Sequence, residues 1–280
     1  MIGRAEVGFV KVFVSVDMEG ISGVVNWEQT SAGNPSYEDA RALMAGELRA
    51  AVEGLYDGGA TEILVNDSHA NGRNIKIAEA DPRVRLITGG GSPLSMMQGI
   101  DETFDAAVFV GYHAGAGTAA VLSHTYNGTI YSAKLNSRLV GEITINAAVA
   151  GYFGVPVVMV TGDSTACREA LSSLGPVEAV AVKEPITRYA ADCLHPEAAR
   201  ERIRTAAAGL FDRLPEFEPF SLEPPIRFEL AFTNTGLADA AGIMPGAVRE
   251  DATTVGYASD DFLGAYRGFL TMTRLAGAER

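Results

Sequence analysis

Carboxylates and histidines follow apolar segments at several points of this 280-residue chain. Asp17 and Glu19 come directly after the segment Val12 to Val16, and His69 and His113 each follow a similar apolar run. In a parallel α/β sheet the carboxyl ends of the strands face the crevice in which ligands bind. We therefore expect these side chains to meet at one edge of one sheet, an arrangement that suits a metal-dependent hydrolase.

Asp17 and Glu19 are separated by a single residue. Residues i and i+2 of an extended backbone project to the same side, so the two carboxylates can converge on one cation or bridge two. Taken alone, an Asp-x-Glu pair is more often an acidic loop exposed at a strand end, since charged residues are seldom buried. The pair gains weight only from the histidines.

His69 follows Asn66, Asp67 and Ser68. A metal-bound histidine usually donates its other ring nitrogen to an acceptor, and Asp67 is the candidate for that role. The alternative is that Asp67 forms a turn that caps the strand.

His113 precedes the segment Ala114 to Gly117, whose glycines allow a close approach to a ligand. The chain lacks the Gly-x-x-x-x-Gly-Lys-Ser/Thr pattern, so we discount a phosphate-binding loop. Either His69 or His113 alone would more often be a hydrogen-bonded structural residue than a ligand.

Glu142 is expected to begin a helix, where the helix dipole stabilises a carboxylate and where the side chain can also face a metal. Two histidines, two glutamates and one aspartate form a mixed nitrogen and oxygen set that suits zinc, with manganese or cobalt as substitutes. Five ligands exceed the three of a typical single catalytic zinc and fit two metals that share a carboxylate better. The predicted ligands are Asp17, Glu19, His69, His113 and Glu142.

His124 is the candidate for acid–base chemistry, because imidazole titrates near neutral pH; the alternative is a further metal ligand. His195 has no acidic neighbours at ligand spacing, and we expect it at the surface. The loop from Gly20 to Pro35 is long for a compact domain and contains Trp27, the only tryptophan. Trp27 either pins this loop to the body or contacts substrate.

Strands and helices alternate through the first half of the chain. Apolar runs predict strands over 11–16, 62–66, 107–112 and 155–161, and a hairpin over 130–140 around Asn136 and Ser137. Ser36 is predicted to cap a helix, with Asp39 completing an approximate capping box, and Gly59 is placed to end it. This order favours an α/β fold with a three-layer, mostly parallel sheet and helices on both faces.

The segment 214–225 is rich in proline and acidic residues and indicates a domain edge. We therefore predict two parts. Residues 1–213 form the α/β metal-binding catalytic domain. Residues 214–280 form a smaller C-terminal α+β region packed on it.

Composition excludes several classes of partner. The formal charge of −13, from 22 basic and 35 acidic residues, argues against nucleic acid and anionic membranes. Two cysteines do not make a disulfide framework. The chain has no basic start followed by a long apolar run and no apolar stretch long enough to span a membrane, so we expect a cytoplasmic protein.

With these residues in place, the chain resembles the zinc-dependent D-aminopeptidase family over almost its whole length. Five blocks carry the resemblance in order: Ser15-Val16-Asp17-Met18-Glu19-Gly20-Ile21-Ser22-Gly23, Val65-Asn66-Asp67-Ser68-His69, Gly111-Tyr112-His113-Ala114, Ser123-His124 and Val140-Gly141-Glu142. Any one block alone would be a weak match. The chain departs from the family in the stretch ahead of the first strand, residues 1–8, and in the loop 20–35.

The resemblance implies a site with two zinc ions, held by the five ligands named above, and it makes His124 the catalytic histidine. It further implies removal of an N-terminal D-amino acid, typically D-alanine, from short peptides. Members of the family can assemble into rings, so a homo-oligomer is expected.

Two other functions fit the same residues. Strand ends rich in Asp and His serve other two-metal hydrolases equally well, namely a phosphoesterase or an amidase. A metal-free α/β module that binds a small ligand at the strand ends is the second alternative.

Overall fold

A computed structural model describes residues 9–279. The departure predicted for residues 1–8 lies outside them. The strands are β1 (Lys11–Val16), β2 (Glu62–Asp67), β3 (Arg85–Ile87), β4 (Ala106–Tyr112), β5 (Ile130–Leu135), β6 (Arg138–Leu139), β7 (Val157–Asp163), β8 (Glu178–Thr187), β9 (Ala190–Cys193), β10 (Ile226–Phe232), β11 (Val248–Arg249) and β12 (Thr254–Ser259).

The helices are α1 (Trp27–Thr30), α2 (Tyr37–Gly58), α3 (Glu142–Tyr152), α4 (Ser164–Leu174), α5 (Pro196–Ala208), α6 (Thr235–Gly242) and α7 (Phe262–Ala278). Short 3₁₀ turns cover Ile77–Glu79, Ser95–Met97 and Phe211–Glu216. Across residues 9–279, none of the helices combines the length and the apolar character needed to cross a membrane.

Seven strands form the first sheet, in the order β3-β2-β1-β4-β7-β8-β9. All neighbours are parallel except β8 and β9, which form an antiparallel hairpin at one edge. Because β2, β1 and β4 are adjacent and parallel, their carboxyl ends lie side by side. The predicted meeting of these three strand ends at one edge is confirmed.

Helices cover both faces of this sheet, as predicted for a three-layer α/β fold. Alternate residues of β1 point to opposite faces. Val12 and Val14 pack in a core with α2 and α5, whereas Phe13 packs in a second core that includes α3 and α7. The sheet is therefore buried on both sides, which accounts for the nearly continuous apolar runs in its central strands.

A second, antiparallel sheet has the order β11-β12-β10-β5-β6. The hairpin β5–β6 turns at Asn136 and Ser137, whose φ angles are 46° and 67°, and this confirms the predicted hairpin. Strand β10 pairs with β5, so the C-terminal strands join a sheet that begins at residue 130. The division into parts 1–213 and 214–280 stays a prediction.

One local prediction needs correction. Ser36 precedes α2 but makes no capping hydrogen bond, because its backbone (φ −78°, ψ −7°) is already helical rather than extended. The predicted capping box is therefore wrong, although Gly59 ends the helix in the left-handed conformation, at φ 116°. Strands β9 and β11 and helices α1 and α6 were not predicted from the sequence.

Candidate metal centre

The ends of β1, β2 and β4 bring Asp17, Glu19, His69 and His113 together, and all four are buried. Glu142, the first residue of α3, completes the group and is only 2% exposed. The five predicted ligands therefore converge on one place. They come from four separate stretches of the chain, as the strand-end argument requires.

Asp17 lies at the centre of the group. Its Oδ1 is 3.1 Å from Nδ1 of His69, and its Oδ2 is 3.4 Å from Nε2 of His113. The two oxygens of one carboxylate thus face two different histidines. This is the geometry of a carboxylate that can bridge two cations.

Two half-sites flank Asp17. The first half-site consists of Glu19 and His69, with Oε2 of Glu19 3.1 Å from Nδ1 of His69. The second half-site consists of His113 and Glu142, with Oε1 of Glu142 3.4 Å from Nε2 of His113. Each half-site contributes one imidazole and one carboxylate beside the shared Asp17.

Glycines allow the backbone of the site to pack this tightly. A Cβ on Gly20 would lie 2.0 Å from the carbonyl oxygen of Tyr112, and a Cβ on Gly111 would lie 2.3 Å from that of Asp17. Gly111 also has a φ of 71°, which favours glycine. These two positions let the end of β1 press against the end of β4.

Each histidine of the site is oriented by a main-chain carbonyl. Nε2 of His69 is 2.8 Å from the carbonyl oxygen of Thr30, and Nδ1 of His113 is 3.0 Å from that of Ala114. A carbonyl only accepts, so the facing ring nitrogen carries the hydrogen. The other ring nitrogen faces the carboxylates, where either a proton or a metal ion can bind to its lone pair.

Asp67 does not orient His69, so that prediction was wrong. Its carboxylate accepts hydrogen bonds from the main-chain N–H groups of Asn74 and Ile75, at 2.5 and 2.7 Å, and from the side chain of Asn74. Asp67 therefore closes the loop after β2, which is close to the turn-forming alternative. The acceptor for His69 comes instead from Thr30 in the long loop.

The charges of the buried carboxylates favour a cation between the members of the group. Burial lowers the pKa of His69 and of His113, but the adjoining carboxylates outweigh it and hold both values well above the usual one. Burial raises the pKa of Asp17, but the same histidines hold it well below its usual range. Nε2 of His113 and Oε2 of Glu19 are buried without a well-formed hydrogen bond within the described residues. Buried ligand-type atoms left without a hydrogen-bond partner in this way fit metal ligation.

His124 lies beside the second half-site. Its ring stacks on that of His113 at a centroid distance of 4.1 Å, and its Nε2 is 3.8 Å from Oε1 of Glu142. Burial and the neighbouring His113 lower the pKa of His124, which keeps the imidazole neutral. Its Nδ1 is 2.9 Å from the carbonyl oxygen of Leu122, which leaves Nε2 able to accept a proton. Side-chain atoms of His113, His124 and Glu142 also lie close enough to share one ion.

A cavity of about 250 Å³ opens above these residues. Four of the five predicted ligands line it, namely Asp17, Glu19, His69 and Glu142. The other wall residues are Trp27, Thr30, Ser31, Ser68, Ala70, Ser95, Met96, His124 and Tyr126. Trp27 meets the ring of His124 edge-on at 5.3 Å, so it both anchors the loop and lines the cavity. The volume suits a small ligand rather than a folded protein chain.

Three supporting residues were not predicted from the sequence. Thr30 holds His69 through its carbonyl, and the main-chain N–H of Tyr126 donates to Oε1 of Glu142 at 2.6 Å. Lys183 is buried and donates to the carbonyl of Glu19. The main-chain contacts of Thr30 and Tyr126 leave no signal in the sequence. Lys183 did leave one, because a lysine directly follows the apolar run of β8. His195 is exposed at the start of α5, as predicted.

Known proteins similar to this chain agree with a metal-dependent peptidase. A family model described as D-aminopeptidase matches residues 10–271. A D-aminopeptidase of Bacillus subtilis (strain 168) is 39% identical over 270 residues, which cover 95% of this chain and 98% of the relative.

A solved structure also matches. It is described as the Zn-dependent D-aminopeptidase DppA from Bacillus subtilis, a self-compartmentalizing protease. The TM-score is 0.94 at 38% sequence identity, with 96% of this chain and 98% of that chain covered. These similarities favour the aminopeptidase interpretation over a phosphoesterase and over a metal-free binding module.

Proposed function

Because the chain belongs to the D-aminopeptidase family, we propose that it removes an N-terminal D-amino acid, such as D-alanine, from short peptides with the help of two zinc ions. The observation that carries this proposal is the convergence of the buried carboxylates and imidazoles around Asp17. The zinc dependence ascribed to the Bacillus subtilis relative supports the choice of metal.

Zinc would be held by the two half-sites. Glu19 and His69 would hold one ion, His113 and Glu142 the other, and Asp17 would bridge them through its two oxygens. The donor set of imidazole nitrogens and carboxylate oxygens suits zinc. Bound zinc lowers the pKa of a coordinated water and polarises a carbonyl group, which is the chemistry that peptide hydrolysis needs.

His124 would move the proton. Its Nδ1 hydrogen is fixed on the carbonyl of Leu122, so Nε2 can take a proton from the attacking water and deliver it to the leaving amine. The lowered pKa of His124 supports this role, because the base is unprotonated at neutral pH. Trp27 packs edge-on against this ring at 5.3 Å.

The cavity limits the substrate. About 250 Å³ bounded by Glu19, Glu142 and His124, among other residues, accommodates the end of a peptide and not a longer folded segment. The walls carry carboxylates that can bind the free amine of the substrate, which supports action at the N-terminus. The preference for a D-residue rests on the family.

We also propose a cytoplasmic homo-oligomer, with a ring as its form. The self-compartmentalizing character ascribed to the Bacillus subtilis relative supports an assembly. Tyr131 and Leu139 are 64% and 70% exposed and border a groove of about 520 Å³, and exposed apolar surface of this kind favours contact between subunits.

A pair of variants tests the proposal. His124→Ala should retain zinc and lose about 10²–10⁴-fold in turnover, the range for a lost acid–base group. His69→Ala should lose zinc. The assay is hydrolysis of a peptide panel with D- and L-residues at the N-terminus, with and without chelator, alongside zinc content by elemental analysis. Loss of zinc from His124→Ala, or equal cleavage of L-peptides, would contradict the proposal.

A further inference from the structure

Lys183 has surroundings that the reaction outlined above does not account for. The residue lies on β8, is 2% exposed and forms no salt bridge within residues 9–279. Burying an ammonium group costs several kcal/mol unless its hydrogens are satisfied. Its position in the structure therefore needs a specific explanation.

The Nζ atom of Lys183 donates to three main-chain carbonyls. The distances are 2.6 Å to Glu19, 2.9 Å to Ile21 and 2.6 Å to Val24. An ammonium group has three hydrogens, so each finds an acceptor. Three carbonyl oxygens around one point repel one another, and a lysine is the side chain that supplies three hydrogens from one atom.

The three carbonyls belong to the turn that follows β1. This turn begins at Glu19, a predicted ligand whose side chain faces His69 while its carbonyl faces Lys183. Lys183 thus holds the main chain of Glu19 from the side opposite the site. The buried carboxylates of Asp163 and Glu47 add negative potential around the ammonium group.

A second contact ties the same turn to the body without touching Glu19. The hydroxyl of Ser22 donates to the carbonyl of Leu194 at 2.6 Å. Ser22 therefore offers a matched control, because its loss loosens the turn but leaves the carbonyl of Glu19 bound to Lys183.

We infer that Lys183 is a positioning residue, which fixes the main chain of Glu19 so that its carboxylate is held ready for a metal in the first half-site. The inference rests on the proposed function, because it assigns Lys183 a role toward that metal. Residues that support metal ligands typically change metal affinity by about 10–100-fold when they are replaced.

The test replaces the ammonium group by an apolar side chain of similar length, Lys183→Met. We expect zinc to bind about 10–100-fold more weakly at one of two positions, measured by competition with a chelator. With cobalt in place of zinc, the visible spectrum should change as well. Ser22→Ala should keep both the affinity and the spectrum of the wild type. Melting of the metal-free forms measures general loss of stability in both variants.

Wild-type affinity and spectrum in Lys183→Met would overturn the inference and leave the proposed function intact, since Lys183 would then only stabilise the turn. An equal loss in Ser22→Ala would overturn it too, because any loosening of the turn would suffice. Wild-type protein that binds no zinc would overturn both proposals. Where Lys183→Met does not fold, Lys183→Gln takes its place, because its amide retains two donors for the turn. The measurements are the same, and the same outcomes support or overturn the inference.

Discussion

The two half-sites are built from the same kinds of residue but are supported in different ways. In the second, the groups that orient His113 and Glu142 come from nearby chain: the carbonyl of Ala114 and the N–H of Tyr126. In the first, His69 depends on the carbonyl of Thr30, which lies 39 residues away. The second half-site therefore rests on local structure, and the first rests on a long loop.

Because of this difference, a change in the long loop can alter metal binding without altering the stability of the sheet. Glu142 begins a helix that is buried as far as Ala150, whereas Glu19 begins a turn that leads to the short helix α1. A change in the loop should therefore weaken the first half-site and spare the second. A change in Asp17, which both half-sites share, should affect both equally.

The largest effect is expected from Asp17→Asn. The amide removes the charge that both half-sites share, so zinc should be lost from both and activity should fall by more than about 10⁴-fold, beyond the cost of a lost acid–base group. Zinc content and hydrolysis of a D-alanyl peptide measure this. Retention of one full equivalent of zinc would argue that Asp17 serves only one half-site.

A smaller effect concerns stability. Burial raises the pKa of Glu47 from 4.5 to about 7, although its Oε1 accepts from the N–H of Ser22, in the turn that carries Glu19. The folded state therefore loses stability as pH rises from 4.5 through 7, by about 3 kcal/mol at about 1.4 kcal/mol per pKa unit. Glu47→Gln should remove this loss.

Urea unfolding at pH 8 and at pH 4.5 checks this, with chelator present throughout. The variant should be more stable than the wild type at pH 8 and equal to it at pH 4.5. A gain of the same size at both values would show that ionisation of Glu47 is not the cause.

The smallest effect should distinguish the half-sites most finely. Asn26 caps α1 by accepting from the N–H of Gln29 at 3.0 Å, and α1 ends at Thr30, whose carbonyl orients His69. Asn26→Ala should cost about 1 kcal/mol of cap energy and weaken one zinc position by up to about 10-fold.

The matched control for this variant is Asn234→Ala, which removes an equivalent cap from α6 in the C-terminal region. It should cost similar stability and leave both zinc positions unchanged, as measured by chelator competition. Equal weakening of both zinc positions in Asn26→Ala would contradict the proposed independence of the half-sites.

The sequence was a good guide where a side chain lies at the end of a strand. The positions of His69 and His113 followed from apolar runs and from the fixed edge of a parallel sheet. It was a poor guide to the partner of His69. Asp67 is adjacent in sequence, but its carboxylate is used by the loop after β2, and the carbonyl of Thr30 has no residue type to reveal it.

Long-range pairing was also outside the reach of sequence patterns. The hairpin at Asn136 was predictable from its turn residues, but its partnership with β10, some 90 residues later, depends on tertiary packing. Similarly, the apolar run in β8 ends at Val182, whereas the strand continues to Thr187. Lys183 was therefore not expected to be buried in that strand.

We propose that Asp17 joins two metal positions, one on each side. Diffraction at the zinc absorption edge from crystals grown with zinc can locate both positions. We expect two anomalous peaks about 3.5–4 Å apart, as in other two-metal sites, with one beside His69 and Glu19 and the other beside His113 and Glu142. A single peak, or peaks that do not touch Asp17, would contradict it.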